Sequence, residues 1–157
     1  MDEDRLIMVT NDDGVTSPGI TALADAASSL GSVMVVGPEG EQSAAGMSLT
    51  FNRPLRVTKV RVGRRVCYAV SGSPADSSMI GIHNLLPRRP DAVVSGINLG
   101  ENLTIQDIFA SGTVAAALSA ALLGIPAIAF SMEIPPKRTI MHGKKDPHFS
   151  IPARIAA

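Results

Sequence analysis

The sequence predicts an open, mostly parallel α/β sheet with helices on both faces and a small β-hairpin. Three observations predict it. Short all-apolar runs, Leu6–Val9, Val33–Val36, Ala92–Val94 and Ala127–Phe130, recur along the chain, and unbroken runs of this kind mark strands buried on both faces. Segments with helix-start and helix-stop chemistry lie between them. One alternating, β-branched stretch interrupts the rhythm and supplies the hairpin.

The elements follow in order. Leu6–Val9 is the first strand, closed by Thr10-Asn11-Asp12-Asp13-Gly14. Pro18-Gly19 opens a helical pattern from Ile20 to Leu30 that stops at Gly31. Val33–Val36 is a second buried strand, ended by Gly37-Pro38, and a long loop of small and polar residues runs from Glu39 to Ser48. Leu55–Val62 and Arg65–Val70 form the hairpin about Gly63-Arg64, lying beside the main sheet. Ser73 as N-cap, Pro74 at the first helical position and Asp76 two residues on start a helix that reaches about Leu86. Ala92–Val94 leads into Ser95-Gly96-Ile97-Asn98, and a second long loop reaches Ser111-Gly112-Thr113. That triplet starts an Ala/Leu-rich helix to Leu123, capped by Gly124 and followed by the strand Ala127–Phe130. The order is that of a three-layer, Rossmann-like arrangement. Residues 1–131 form the domain. Residues 132–157 read as a lid-like polar loop, then a helix begun at Phe149 that stops at Ala157, so that the chain looks truncated.

Composition narrows the function. The 157-residue chain has 14 Lys and Arg against 14 Asp and Glu, and its basic residues are scattered in pairs. No basic face emerges, which argues against a nucleic-acid polymer as partner. Trp is absent and Tyr68 stands alone, which argues against a stacking platform for many bases. Cys67 has no second cysteine to pair with and fits a reducing compartment. The acidic Met1-Asp2-Glu3-Asp4 is unlike a signal peptide. The apolar region from Val114 to Phe130 is broken by Ser119, Gly124 and Pro126, which excludes a membrane span. A cytoplasmic protein is expected.

Asp12 and Asp13 sit where a parallel strand ends, on the edge where open α/β sheets bind ligands. Two adjacent carboxylates repel, and a divalent cation relieves both that repulsion and the cost of desolvation. The competing reading has one Asp capping the next helix and the other solvated. The neighbouring strand-end loops offer Ser43, Asn98 and Asn102, all oxygen donors. Individually these are turn formers; jointly they suit Mg²⁺, Mn²⁺ or Ca²⁺ better than a zinc cage. Ser111-Gly112-Thr113 at a helix start makes a natural anion site, through free N–H groups, dipole and hydroxyls, although a plain N-cap is the commoner use. Asp107, upstream, can steady that loop or neighbour the metal. His83 reads as a helical, structural residue, and His142 and His148 lack zinc-site spacing. No P-loop, dinucleotide fingerprint or nucleophile elbow is present.

These residues resemble the SurE family of stationary-phase survival proteins. Asn11-Asp12-Asp13-Gly14-Val15 with Ser17-Pro18-Gly19-Ile20 is similar to its opening signature. Pro38 with Gln42-Ser43-Ala44 and Ser48-Leu49-Thr50 resembles its second motif, and Val70 to Asp76 its third. Val94 to Asn98, Gly100, Asn102 and Ser111-Gly112-Thr113-Val114 resemble the fourth and most specific block. The resemblance implies one divalent cation, Mg²⁺ or Mn²⁺ with Ca²⁺ as a substitute in crystals, held by Asp12, Asp13, Ser43 and Asn98. It implies catalysis by Asp12, Asp13 and Asn98, with Asn102, Ser111, Gly112 and Thr113 lining the phosphate pocket and Asn11 beside them. The activity implied is hydrolysis of nucleoside 5′-monophosphates, extending to 3′-nucleotides or short polyphosphate. Two departures stand out: Ala110 where the family often has Tyr, and Ser119 where Glu is usual. Family members continue beyond this chain's end with segments that build dimers and tetramers and that this sequence lacks. Phe149, Ile151 and Ile155 are then expected to be disordered or docked onto another subunit, and a homodimer or tetramer is expected. The alternative is a metal- and nucleotide-binding module without turnover. An aspartyl-phosphate phosphatase fits poorly, because its two carboxylates would stand two residues apart.

Overall fold

The computed structural model describes residues 5–133. Six strands form one sheet: β1 (Leu6–Thr10), β2 (Ser32–Pro38), β3 (Val57–Val62), β4 (Arg65–Val70), β5 (Ala92–Leu99) and β6 (Ala127–Met132). Their order is β3-β4-β2-β1-β5-β6, parallel throughout except for β3, which runs antiparallel to β4. The hairpin lies beside the main strands, as expected, and joins their sheet. Val35–Pro38 of β2 pair in parallel with Cys67–Val70 of β4, so the hairpin completes one edge.

The helices are α1 (Pro18–Ala27), α2 (Pro74–Ile80), α3 (Ile105–Ala110) and α4 (Gly112–Leu122). The β1-α1-β2 crossover moves one way along the sheet, while β4-α2-β5 and β5-α4-β6 move the other way. Right-handed crossovers in opposite directions place their helices on opposite faces. Strand alternation agrees. Ile7, Val9 and Val35 pack with Ile20, Leu23 and Ala24 of α1, whereas Met8, Val36 and Val93 pack with Ala120 and Ile125 on the other face. Each large side chain so buried stabilises the fold by about 2–3 kcal/mol.

Helix boundaries differ from the sequence reading in ways that have local causes. α1 stops at Ala27 because Ser28 and Ser29 turn their hydroxyls back onto Ala24 O (2.7 Å) and Ala26 O (2.8 Å). Gly31 is therefore no helix cap. A Cβ there would stand 2.5 Å from Arg5 O, so glycine admits the backbone of the chain leading into β1. α2 begins at the expected Ser73 cap, with Asp76 completing a capping box, and then widens into a π turn over Gly81–Leu85. The loop after β5 contains α3, whose own capping box joins Thr104 and Asp107. Among the described residues no helix is long and apolar enough to cross a membrane. Residues 134–157, with His142, His148 and Phe149, lie outside the described residues.

Candidate metal and phosphate site

β1 sits where the sheet reverses direction: from it the chain goes first to β2, and later returns to β5 on its other side. The crevice outside the carboxyl ends of β1 and β5 is thus the topological switch point. Asp12 and Asp13 follow β1, and Asn98 lies near the end of β5. A cleft of about 240 Å³ opens there, walled by Asp12, Asp13, Ser43, Asn98, Asn102 and Ser111 together with Glu41, Glu101 and Asp107.

Each wall is tied down by backbone. Gln42 N donates to Asp12 O (2.8 Å) and Gly46 N to Ala110 O (2.9 Å), which lays the Glu39–Ser48 loop between β1 and the end of α3. Ser43 donates to Glu41 Oε1 at 2.6 Å, leaving its own lone pairs for a cation. Asn98 commits its amide nitrogen to Gly100 O (2.9 Å), and its carbonyl oxygen remains as a metal donor. Asn102 donates to Ser131 Oγ at 2.7 Å. Ser111 caps α4 by accepting from Val114 N.

Other residues of the expected site stand elsewhere. Asn11 is fully buried and turned away from the cleft, donating to Gly14 O (3.1 Å) and Ser17 Oγ (2.8 Å). It shapes the loop that carries the two aspartates. Gly112 and Thr113 do not wall the cleft either. They back Asp12, Thr113 Oγ1 donating to Asp12 Oδ1. His83 is exposed on the π turn.

Glu41 and Glu101 were missed in the sequence. Their signal was position alone, one within the Ser43 loop and the other between Asn98 and Asn102. With them, five carboxylates wall the cleft and no Lys, Arg or His does among the described residues. Burial first, then the charges of Asp12 and Glu41, push Asp13 from 3.8 up to about 6, against the Leu99 N–H that donates to it. Such a cleft calls for a hard cation. Its donors are all oxygen, as Mg²⁺, Mn²⁺ and Ca²⁺ prefer, and the group fits. Among the described residues no three His, Cys, Asp or Glu side chains converge to cage a metal unaided, so neutral donors such as Ser43 and Asn98 would have to complete the shell.

Two results are expected from this geometry. A folded-state pKa above the unfolded value means that ionised Asp13 opposes folding, increasingly as pH rises from 3.8 to about 6. In chelator at pH 7.5, Asp13→Asn should therefore be more stable than the parent by about 1–2 kcal/mol, the shift being discounted because the carboxylate is partly solvated. Urea denaturation with EDTA decides it; a less stable variant contradicts the reading. Gly112→Ala should act in the opposite sense. Its Cβ would meet Asp12 Cβ at 2.7 Å and Pro74 Cγ at 2.8 Å, and overpacking of this kind costs about 1–3 kcal/mol. A variant as stable as the parent, with unaltered metal affinity, contradicts that.

Fold and cleft together define a doubly wound α/β protein with an acidic, oxygen-lined cleft at its strand-end switch point. The chain matches the family described as Survival protein SurE over residues 7–157, and it belongs to that family. A 5′-nucleotidase SurE of Pelobacter propionicus is 59% identical over 126 residues, 80% of this chain and 49% of that protein. One from Methanocella arvoryzae is 47% identical over 129 residues, 82% of this chain and 48% of that protein. The crystal structure of SurE protein from Aquifex aeolicus superposes with a TM-score of 0.80 at 41% identity, covering 96% of this chain and 56% of that one. The chain spans about half the length of the curated relatives it matches.

Proposed function

We propose that the chain carries the metal and phosphate site of a phosphomonoesterase acting on nucleoside 5′-monophosphates, releasing nucleoside and phosphate. The observation that carries this reading is the cleft itself. A phosphate dianion cannot approach five carboxylates unless a cation intervenes. The relatives named 5′-nucleotidase SurE supply the substrate class. Asp12, Asp13, Ser43 and Asn98 would hold Mg²⁺ or Mn²⁺, which when bound neutralises phosphoryl oxygens and acidifies water. Ser111, the N-cap of α4, presents its hydroxyl to the phosphate, and Asn102 stands beside it. Asp13 is the carboxylate best suited to accept a proton near neutral pH. Looser action on 3′-nucleotides or short polyphosphate belongs to the same reading, as does a cytoplasmic location.

The test is phosphate release from a panel of nucleoside monophosphates with Mg²⁺ or Mn²⁺ and with EDTA. Turnover abolished by EDTA is expected. Nucleotide binding without release favours the second reading, a metal- and nucleotide-binding module without turnover. Turnover indifferent to EDTA defeats both.

Self-association as a dimer or tetramer is part of the proposal. Leu103, Ile105, Phe109, Leu122 and Ile128, on or beside α3, α4 and β6, are at least half exposed, and apolar groups so displayed favour association. Sedimentation at micromolar concentration should show a dimer or larger; a monomer contradicts it.

A further inference from the structure

We propose that Thr113 is a positioning residue that orients Asp12 before any metal arrives, an inference that rests on the metal-dependent reading above. Thr113 is fully buried and Asp12 is 6% exposed, and the threonine hydroxyl donates to Asp12 Oδ1 across 101 residues of sequence. With its side chain buried, Thr113 cannot also reach a substrate phosphate in the cleft. Its hydroxyl proton is committed to the carboxylate.

The consequence for Asp12 is geometric. One oxygen, Oδ1, is fixed in direction by a charge-assisted hydrogen bond. The other, Oδ2, lies on the side of Gly112, where a Cβ would stand 3.1 Å away. Only glycine lets the first turn of α4 come this close. Asp12 therefore meets the cleft with its carboxylate plane fixed by Thr113 and Gly112, and would hold a cation in that preset orientation. The same contact sets the carboxylate against the first turn of an 11-residue helix, which holds its position relative to the cleft. Ser111 walls the cleft while Thr113, two residues on, backs it, so two residues of one turn serve substrate and ligand separately.

The test compares Thr113→Ser, Thr113→Cys and Thr113→Val with the parent chain. Mn²⁺ binding is followed by the loss of the free-ion electron paramagnetic resonance signal, and thermal unfolding is measured in EDTA. Loss of an outer hydrogen-bond partner weakens metal affinity about 10–100-fold. That range is expected for Val, an intermediate loss for Cys with its weaker donor, and a Kd within about threefold of the parent for Ser, which keeps the hydroxyl. The Mn²⁺ concentration for half-maximal turnover should shift in the same order. A threonine serving only to pack would change unfolding temperature without ordering the metal affinities. Should Val fail to fold, the Ser-to-Cys step still decides. Equal Mn²⁺ affinities across the folded variants overturn the role of Thr113 and leave the metal site standing. A parent chain that binds no Mn²⁺ overturns both.

Discussion

Asp12→Asn is expected to lower metal-dependent phosphate release by about two to three orders of magnitude while leaving the fold intact. The amide is isosteric, so packing beneath α4 survives. Thr113 will still find an oxygen acceptor, because the amide can turn its carbonyl toward the hydroxyl. That choice points the NH₂ group into the cleft, where a cation requires a lone pair. The variant thus loses a charge and presents a donor in the place of a ligand. Unchanged thermal unfolding in EDTA together with lost turnover is the expected pair of results. Full turnover at low metal would remove Asp12 from the site.

The second large effect concerns stability. Asp76 is nearly buried and accepts from Thr50 N (3.0 Å), Thr50 Oγ1 (2.7 Å) and Ser73 N (2.9 Å), so one carboxylate joins the start of α2 to the loop that carries Ser43. Asp76→Ala leaves three donors without an acceptor, and a loss of about 3 kcal/mol is expected in urea denaturation. Burial alone would raise the Asp76 pKa. The hydrogen bonds from Thr50 and Ser73 outweigh it and hold the carboxyl below the usual range. A depressed folded pKa contributes stability that is present above the unfolded value and lost as pH falls through the folded one. The gap between parent and Asp76→Asn should therefore narrow steadily below pH 4. A gap that widens in acid contradicts the assignment.

Much of this arrangement is legible in the chain. Strand runs such as Leu6–Val9 are readable because burial on both faces demands unbroken apolar sequence. The Ser73–Asp76 start is readable because capping chemistry is local. What the sequence hides is non-local. Nothing near Thr113 reveals that its hydroxyl meets Asp12 rather than a ligand, because that contact is made by tertiary approach through Gly112. Asn11 reads as a site residue because it adjoins two aspartates, yet its side chain turns inward to Ser17. Glu41 and Glu101 sit in loops whose courses only the folded sheet defines. α3 is too short and too exposed to show a buried stripe, so its capping box was the one available sign.

The central claim is that the crevice between β1 and β5 holds a single divalent cation on Asp12 and Asp13, with Ser43 and Asn98 in reach. Anomalous diffraction from crystals of this chain grown with Mn²⁺ measures it directly. The account predicts one strong peak within coordination distance, about 2.1 Å, of oxygens from both aspartates. A crystal at saturating Mn²⁺ with no peak there, or with its peak on other residues, would contradict it.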